Sequence, residues 1–331
     1  MIKNLAKKAL VGSGALRWMA RRRAKGVAIL MYHSVMDDPT QASDSLGGII
    51  HSRRAFEGQM ELLARKFQPV DLEQVENFLT GDSELPERAV VVTFDDGYTD
   101  NEEVAMPILD RLGIPATFYV TVDCLERRAL PWPSRLRYAF RASKKKSWAD
   151  DVGTIWTLSD AVSREHAYLS ACDHFCKLAG TALEAKIACA ERDLDAHLPV
   201  SSGQLMMTWE QVRKLAKGGH LVGSHTMTHP NMAFLDVNEV RRELTESKQI
   251  METRLGRQVD HFSYPCPALY PNWTKLTLEE SQSAGYRTAV TTNNGVAHAR
   301  DNPLELKRLR PTKTADGLRW NLESAFAGRA V

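Results

Sequence analysis

Nothing in this sequence approaches a membrane span: its N-terminal apolar stretch, Ala9 to Leu16, falls far short of the roughly 20 residues a bilayer core requires. Low-complexity tracts are also missing, and so is any strong excess of one charge. Against 43 Lys and Arg stand 41 Asp and Glu, a formal net charge of +2, and so even a balance argues against a large nucleic-acid footprint. Cysteine is sparse. The five, Cys124, Cys172, Cys176, Cys189 and Cys266, are odd in number with no repeating spacing, which argues against a disulfide framework and for a reducing compartment. Cys172, His174 and Cys176 sit close enough to suggest metal ligands, but a structural site usually takes four and no partner pair follows. A secretory signal is wanting as well. Lys3, Lys7, Lys8, Arg17, Arg21, Arg22, Arg23 and Lys25 crowd the start, yet the arginines follow the apolar stretch and no small-residue cleavage site succeeds it. Residues 1–26 are therefore expected to be a basic segment of a cytoplasmic protein. It is either solvated or lies peripherally on the inner, anionic face of the membrane through Leu5, Leu16, Trp18 and Met19.

What the sequence does have, from Val27 onward, is an alternation of short apolar runs with amphipathic stretches, the signature of a βα architecture with parallel strands. Val27–Tyr32, Ala89–Phe94, Pro115–Val122, His220–Ser224, Val259–Tyr264, Tyr286–Thr291 and Leu306–Arg310 read as strands. Between them, Phe56, Met60, Leu63 and Phe67 recur at helical spacing, Pro107 can open a helix that Gly113 stops, and Thr208 with Gln211 and Asp236 with Glu239 form capping-box patterns. Seven or eight strands point to an α/β fold with a closed or nearly closed barrel over residues 27–331. From about Glu126 to Leu205 the alternation stops. Two helices, around Asp160–Leu178 and Thr181–Leu198, mark a helical insertion at about 126–205 that forms either a substrate wall or a packing appendage.

Two segments carry chemistry. Thr93, Phe94, Asp95, Asp96 and Gly97 lie where an apolar strand runs out into a loop, the edge at which side chains of an α/β barrel converge on substrate. Adjacent carboxylates repel unless a cation or proton lies between them. The second segment, Ser224, His225, Thr226, Met227, Thr228, His229 and Pro230, sets two histidines four apart at the end of another strand. One carboxylate and two imidazoles make a three-ligand site with open positions, the arrangement of a catalytic rather than a structural ion.

In this order the two segments resemble the polysaccharide deacetylases of the NodB-homology type, carbohydrate esterase family four. The resemblance covers most of Val27 to Pro311 outside the insertion. Ile29 to Val35 and Phe262 to Pro265 are similar to a branch of that family found in bacterial surface-polysaccharide synthesis. It implies a distorted (β/α) barrel of seven or eight strands and hydrolysis of an N-acetyl group on a sugar or glycan, in a bacterial polysaccharide or its lipid- or nucleotide-linked precursor. Carried over residue by residue, it makes Asp95 the general base and Asp96, His225 and His229 the ligands of a divalent metal. Zinc is the first expectation; cobalt, nickel and manganese also suit one carboxylate and two imidazoles. The backbone N–H of Cys266 would face the oxyanion. His33, at the end of the first strand, is the expected general acid, with His298 in the late loop as its rival.

Two departures stand out. Ser263 occupies the place where many members of the family keep an arginine that orients the base, and Pro267 the place of a glycine. Arg308, on the last strand, is the candidate for orienting Asp95 instead. The alternatives to N-deacetylation are a sugar O-acetyl esterase, which uses the same ion and base, and a glycan-binding protein with impaired catalysis.

Overall fold

The apolar runs pair with one another in parallel. In a computed structural model, which describes residue 10, residues 12–20 and residues 25–329, the main sheet contains β1 (Gly26–Tyr32), β2 (Ala89–Phe94), β3 (Ala116–Val120), β4 (Leu221–Ser224), β5 (His261–Ser263), β6 (Thr288–Asn294), β7 (Ala297–His298) and β8 (Leu306–Arg308). Seven of these run parallel in the order β1, β2, β3, β4, β5, β6, β8. The chain beyond β8 returns to β1, where Leu309 N donates to Ile29 O at 2.7 Å and Met31 N donates to Leu309 O at 3.1 Å, so the ring is bridged at that seam. The expected α/β barrel is thus the fold. Pro115–Val122 is shorter than its apolar run suggests, because Val122 already belongs to a helix, Val122–Arg127.

Alternation along these strands separates two cores. Val27, Ile29, Ala89, Val91, Tyr119, Val290 and Leu306 share one cluster, while Ala28, Leu30, Val90, Val92, Phe94, Ala116 and Phe118 join the helices in another. With a side-chain period of two, Asp95 shares the face of Val91, and Arg308 that of Leu306. The barrel interior therefore ends in charged residues at its C-terminal edge. On the other face, Phe94 stacks on Phe118 with ring centroids 4.8 Å apart and meets Tyr32 and Phe56.

Several helices begin and end where the sequence marks them, while the insertion helix expected around Thr181–Leu198 spans Gly180–Asp193. α1 (Arg53–Lys66) buries Phe56, Met60 and Leu63. α2 (Met106–Leu112) has proline in its first turn and stops at Gly113 in the left-handed conformation. In the insertion lie α3 (Trp132–Ala142), α4 (Ala161–Phe175) and α5 (Gly180–Asp193); α6 (Trp209–Lys217) and α7 (Val237–Leu255) follow, both with complete capping boxes.

The insertion has a core of its own, in which Trp132, Leu136, Phe140, Trp148, Phe175, Leu183 and Ile187 are packed together. A short antiparallel hairpin, Ser147–Ala149 with Ile155–Thr157, closes one side. Arg135 ties α3 to α5 through Glu184 at 2.8 Å and Glu191 at 2.9 Å. At the other end of the chain, the helix Ala15–Ala20 buries Leu16, whereas Lys3, Lys7, Lys8 and Arg21 to Arg23 of the expected basic segment lie outside the described residues. No helix among the described residues is long and apolar enough to cross a membrane.

Phe94→Ala removes the ring that backs the Asp95 loop, and we expect it to lower unfolding stability by about 3–5 kcal/mol. Denaturant titration followed by tryptophan fluorescence measures this; a loss under about 1 kcal/mol would mean that the strand end is not held by that aromatic cluster.

Candidate functional site

Parity brings the site together. The face that carries Val91 and Thr93 next presents Asp95; the face of Gly223 next presents His225; Ser263 follows His261 and Arg308 follows Leu306 on theirs. Gly223 is required there, since a Cβ would meet the Tyr119 ring at 2.5 Å. All these side chains gather at the C-terminal edge of the barrel, where His33 follows β1.

Asp96 follows with its backbone in the left-handed region, φ +76°, so the strand's alternation ends there and its carboxylate stays at the same cavity beside His225 and His229. Thr226 (φ +67°) and His229 (φ +60°) share that conformation. For a residue other than glycine it costs about 1–3 kcal/mol and persists only where surrounding contacts impose it. Those contacts are visible. Glu243 on α7, buried, accepts from Met227 N at 2.8 Å, Thr228 N at 2.9 Å and Thr228 Oγ1 at 2.6 Å. His229 N donates to Thr226 Oγ1 at 3.0 Å, and the Trp132 indole N–H of the insertion donates to His229 O at 2.9 Å.

Asp96 Oδ1 lies 3.3 Å from His229 Nε2 and 3.5 Å from His225 Nε2, buried and without a hydrogen bond. His225 Nδ1 is 2.7 Å from Ser263 O. A carbonyl only accepts, so Nδ1 carries the proton and Nε2 presents its lone pair to Asp96. Burial first, with His229 beside it, pushes the His225 pKa down to about 4, which keeps that ring neutral. Two acceptors facing each other call for a cation between them. Ligands bonded at about 2.0–2.2 Å around a tetrahedral ion stand roughly 3.4 Å apart, as these do. The donor set therefore fits a divalent metal, and it is the group among the described residues that can hold one. Cys172, His174 and Cys176 form no such cluster; both thiols are buried, and Cys172 sits in the insertion core.

Asp95 meets Arg308 instead. Arg308 Nη1 donates to Asp95 Oδ1 at 2.8 Å and Nη2 to Oδ2 at 2.7 Å, both residues being almost wholly buried. The remaining donors of the guanidinium reach Thr291 O, Thr93 Oγ1 and Ser263 Oγ. Burial alone would raise the Asp95 pKa, but the Arg308 charge and His225 outweigh it and hold the carboxyl below its ordinary value. Ser263 also donates to Asp95 Oδ1 at 3.3 Å.

A cavity of about 480 Å³ opens over these groups, lined by His33, Asp95, Asp96, His225, His229, Tyr264, Cys266 and Pro267 from the barrel and by Pro131, Ser134, Arg137 and Tyr168 from the insertion. His33 is half-buried in it, its carbonyl accepting from Asn101 Nδ2 at 2.7 Å. His298 is not there. It pairs with Gly26 at the start of β1, with Nδ1 3.3 Å from Lys25 O, at the N-terminal edge of the barrel. Seven residues of extended strand, roughly 20 Å, separate it from the cavity, and this rules it out as a general acid. The late loop that holds His298 folds back antiparallel to β1 as β7, a pairing that no local pattern marks.

Sequence reasoning missed Glu243, Trp132 and His51. An acid three residues from Val240 in an otherwise apolar helical stripe was a signal for Glu243; no pattern announced the other two.

Asp96→Ala and His225→Ala should each weaken zinc binding by at least about 100-fold in calorimetry, by loss of one of three ligands. Arg308→Ala should retain the metal but lose about 3–5 kcal/mol of unfolding stability, since it strands a buried carboxylate. Unaltered zinc affinity in both ligand variants would refute the site.

The comparisons with known proteins agree with this geometry. The polysaccharide deacetylase family model matches residues 82–143 and 185–289, half of the chain, and leaves unmatched residues 144–184 of the insertion. YxkH of Bacillus subtilis (strain 168), named for the same family, is 22% identical over 91% of this chain and 76% of its own. A poly-beta-1,6-N-acetyl-D-glucosamine N-deacetylase of Escherichia coli (strain K12) is 32% identical over 93 residues, 28% of this chain and 13% of its own length. Among solved structures, the deacetylase PplD of Streptococcus pyogenes superposes with a TM-score of 0.60 at 19% identity, covering 91% of this chain and 99% of that one. IcaB from Ammonifex degensii does so with a TM-score of 0.58 at 20% identity, covering 92% and 99%. A shared barrel, a matching family model and a mouth built of one carboxylate and two imidazoles lead to one conclusion: the chain belongs to the polysaccharide deacetylase family, hydrolases of carbon–nitrogen bonds other than peptide bonds.

Proposed function

We propose that the protein is a metal-dependent de-N-acetylase of an N-acetylhexosamine, carried in a bacterial polysaccharide or in its lipid- or nucleotide-linked precursor. The observation that carries this reading is the division between neighbouring carboxylates. Asp96 faces two imidazoles without a hydrogen bond, while Asp95, one residue earlier, is fixed by a guanidinium on the cavity floor. Relatives named as a chitooligosaccharide deacetylase and a poly-beta-1,6-N-acetyl-D-glucosamine N-deacetylase support it.

Asp96, His225 and His229 would hold the ion, zinc first among those the donor set suits. When bound, it supplies Lewis acidity and a water of lowered pKa. Asp95, kept ionised and aligned by Arg308, takes the proton of the attacking water. Cys266, which lines the cavity, would donate its N–H to the acyl oxygen as negative charge develops there. An amine leaves poorly unless protonated, and His33, on the cavity wall, delivers that proton to the sugar nitrogen. The insertion residues Pro131, Ser134 and Tyr168 narrow the cavity and limit water. We also propose a cytoplasmic location, with the basic N-terminal segment either solvated or in peripheral contact with the anionic inner face of the membrane.

Asp95→Asn should bind zinc as the unaltered protein does and lose at least about 100-fold in kcat for acetate release from N-acetylated sugars. Chelation should abolish release and added zinc restore it. Full activity in the Asp95→Asn protein, or faster release from O-acetylated than from N-acetylated sugars, would sink the proposal.

A further inference from the structure

Part of the cavity lining takes no role in that chemistry: His51, Arg137, Arg310 and Lys313, beside Ser45 and Gly48. These are all donors. His51 is 5% exposed, and neither of its ring nitrogens has a hydrogen-bond partner of good geometry, although the Thr312 and Ile49 backbone lies beside the ring. Burial and then the Lys313 charge push its pKa down to about 4, so the ring is neutral and has one N–H to give. Arg137 approaches so closely over Gly47 that a Cβ there would lie 2.8 Å from the guanidinium carbon. It binds Glu165 at 2.9 Å through Nη1, but its Nε is buried without an acceptor.

Lys313 Nζ donates to Gly48 O at 2.7 Å and Ile50 O at 2.6 Å, which leaves one N–H. Arg310 is exposed at the mouth, and neither it nor Lys313 pairs with a carboxylate among the described residues. Of the cations here, Arg137 shares Glu165 with Arg141, which binds its other oxygen at 2.8 Å, and two, Arg310 and Lys313, remain without a carboxylate. A sugar carboxylate would balance a single charge. A phosphate ester or diphosphate balances both and offers enough oxygens for the orphaned N–H groups of His51 and Arg137 as well.

We infer that this wall is a phosphate subsite and that the substrate is an N-acetylated sugar bearing a phosphate or diphosphate. The inference rests on the deacetylase reading of the same cavity and narrows its substrate. Nucleotide-linked and lipid-linked sugars share the required chemistry. The charged group would seat against Arg310, Lys313 and His51 while the acetamido group lies over Asp95 and His33.

Two measurements separate the claims. In chelator, where phosphate cannot bind through a metal, calorimetry compares N-acetylglucosamine 1-phosphate with methyl N-acetylglucosaminide. The phosphorylated sugar should bind at least about tenfold more tightly. That ratio should fall towards one in Arg310→Gln and Lys313→Gln, survive in Lys313→Arg, and shrink as salt is raised. Acetate release by the zinc-loaded enzyme from UDP-N-acetylglucosamine and from polyprenyl-diphosphate N-acetylglucosamine then identifies the source by the larger kcat/KM. Equal binding of the phosphorylated and neutral sugars, or a uronate-bearing disaccharide that binds as tightly as the phosphate, overturns the subsite, even if both sugars are deacetylated. Phosphate-dependent binding without acetate release from any of these sugars overturns the deacetylase reading instead.

Discussion

A buried carboxylate needs a fixed counter-charge, and at this barrel mouth two carboxylates sit side by side. Arg308 supplies the charge for one of them. Its N–H groups are all taken, by both oxygens of Asp95, by Thr93 Oγ1, by Ser263 Oγ and by Thr291 O. Planar, delocalised and always ionised, a guanidinium can be held this deep where an ammonium would readily lose its proton. With Asp95 thus neutralised and aimed, the left-handed turn at Asp96 ends the strand's alternation and leaves the second carboxylate in the same cavity, against His225 and His229. The two roles of base and ligand are assigned by which cation each acid meets.

That arrangement extends outward through contacts remote from substrate. The turn between the two histidines is strained at both Thr226 and His229, and it is clamped from two directions. Glu243 holds the amides on the helix side, and Trp132 holds the His229 carbonyl from the insertion. The insertion is thereby coupled to the site twice, as a support for one imidazole and as a wall of the cavity through Arg137 and Tyr168. A packing appendage would need neither contact.

Much of this was legible beforehand because it follows from periodicity. The strands carrying Phe94 and Ser224 read as apolar runs, and a period of two then decides that Asp95 and His225 share the inner face. Helix ends were equally plain where Gly113 or the Thr208–Gln211 pair marks them. Pairings set only by tertiary folding were not legible. His298 seemed to belong with the other histidines until β7 turned back beside Gly26, and nothing local in Trp132 or His51 foretells that one meets a backbone carbonyl and the other the cavity. The helix Trp132–Ala142 was also missed, although Trp132, Leu136, Ala139 and Phe140 recur at helical spacing and a proline sits in its first turn.

The central claim is that Asp96, His225 and His229 share one ion while Asp95 stays outside the coordination sphere on Arg308. A crystal structure of the zinc-loaded protein with anomalous diffraction measured at the zinc edge tests it directly. The account predicts one peak with Asp96 oxygen and the two imidazole nitrogens at about 2.0–2.2 Å, and an unbroken Asp95–Arg308 fork. A peak bonded to Asp95, or none within reach of both histidines, would contradict it.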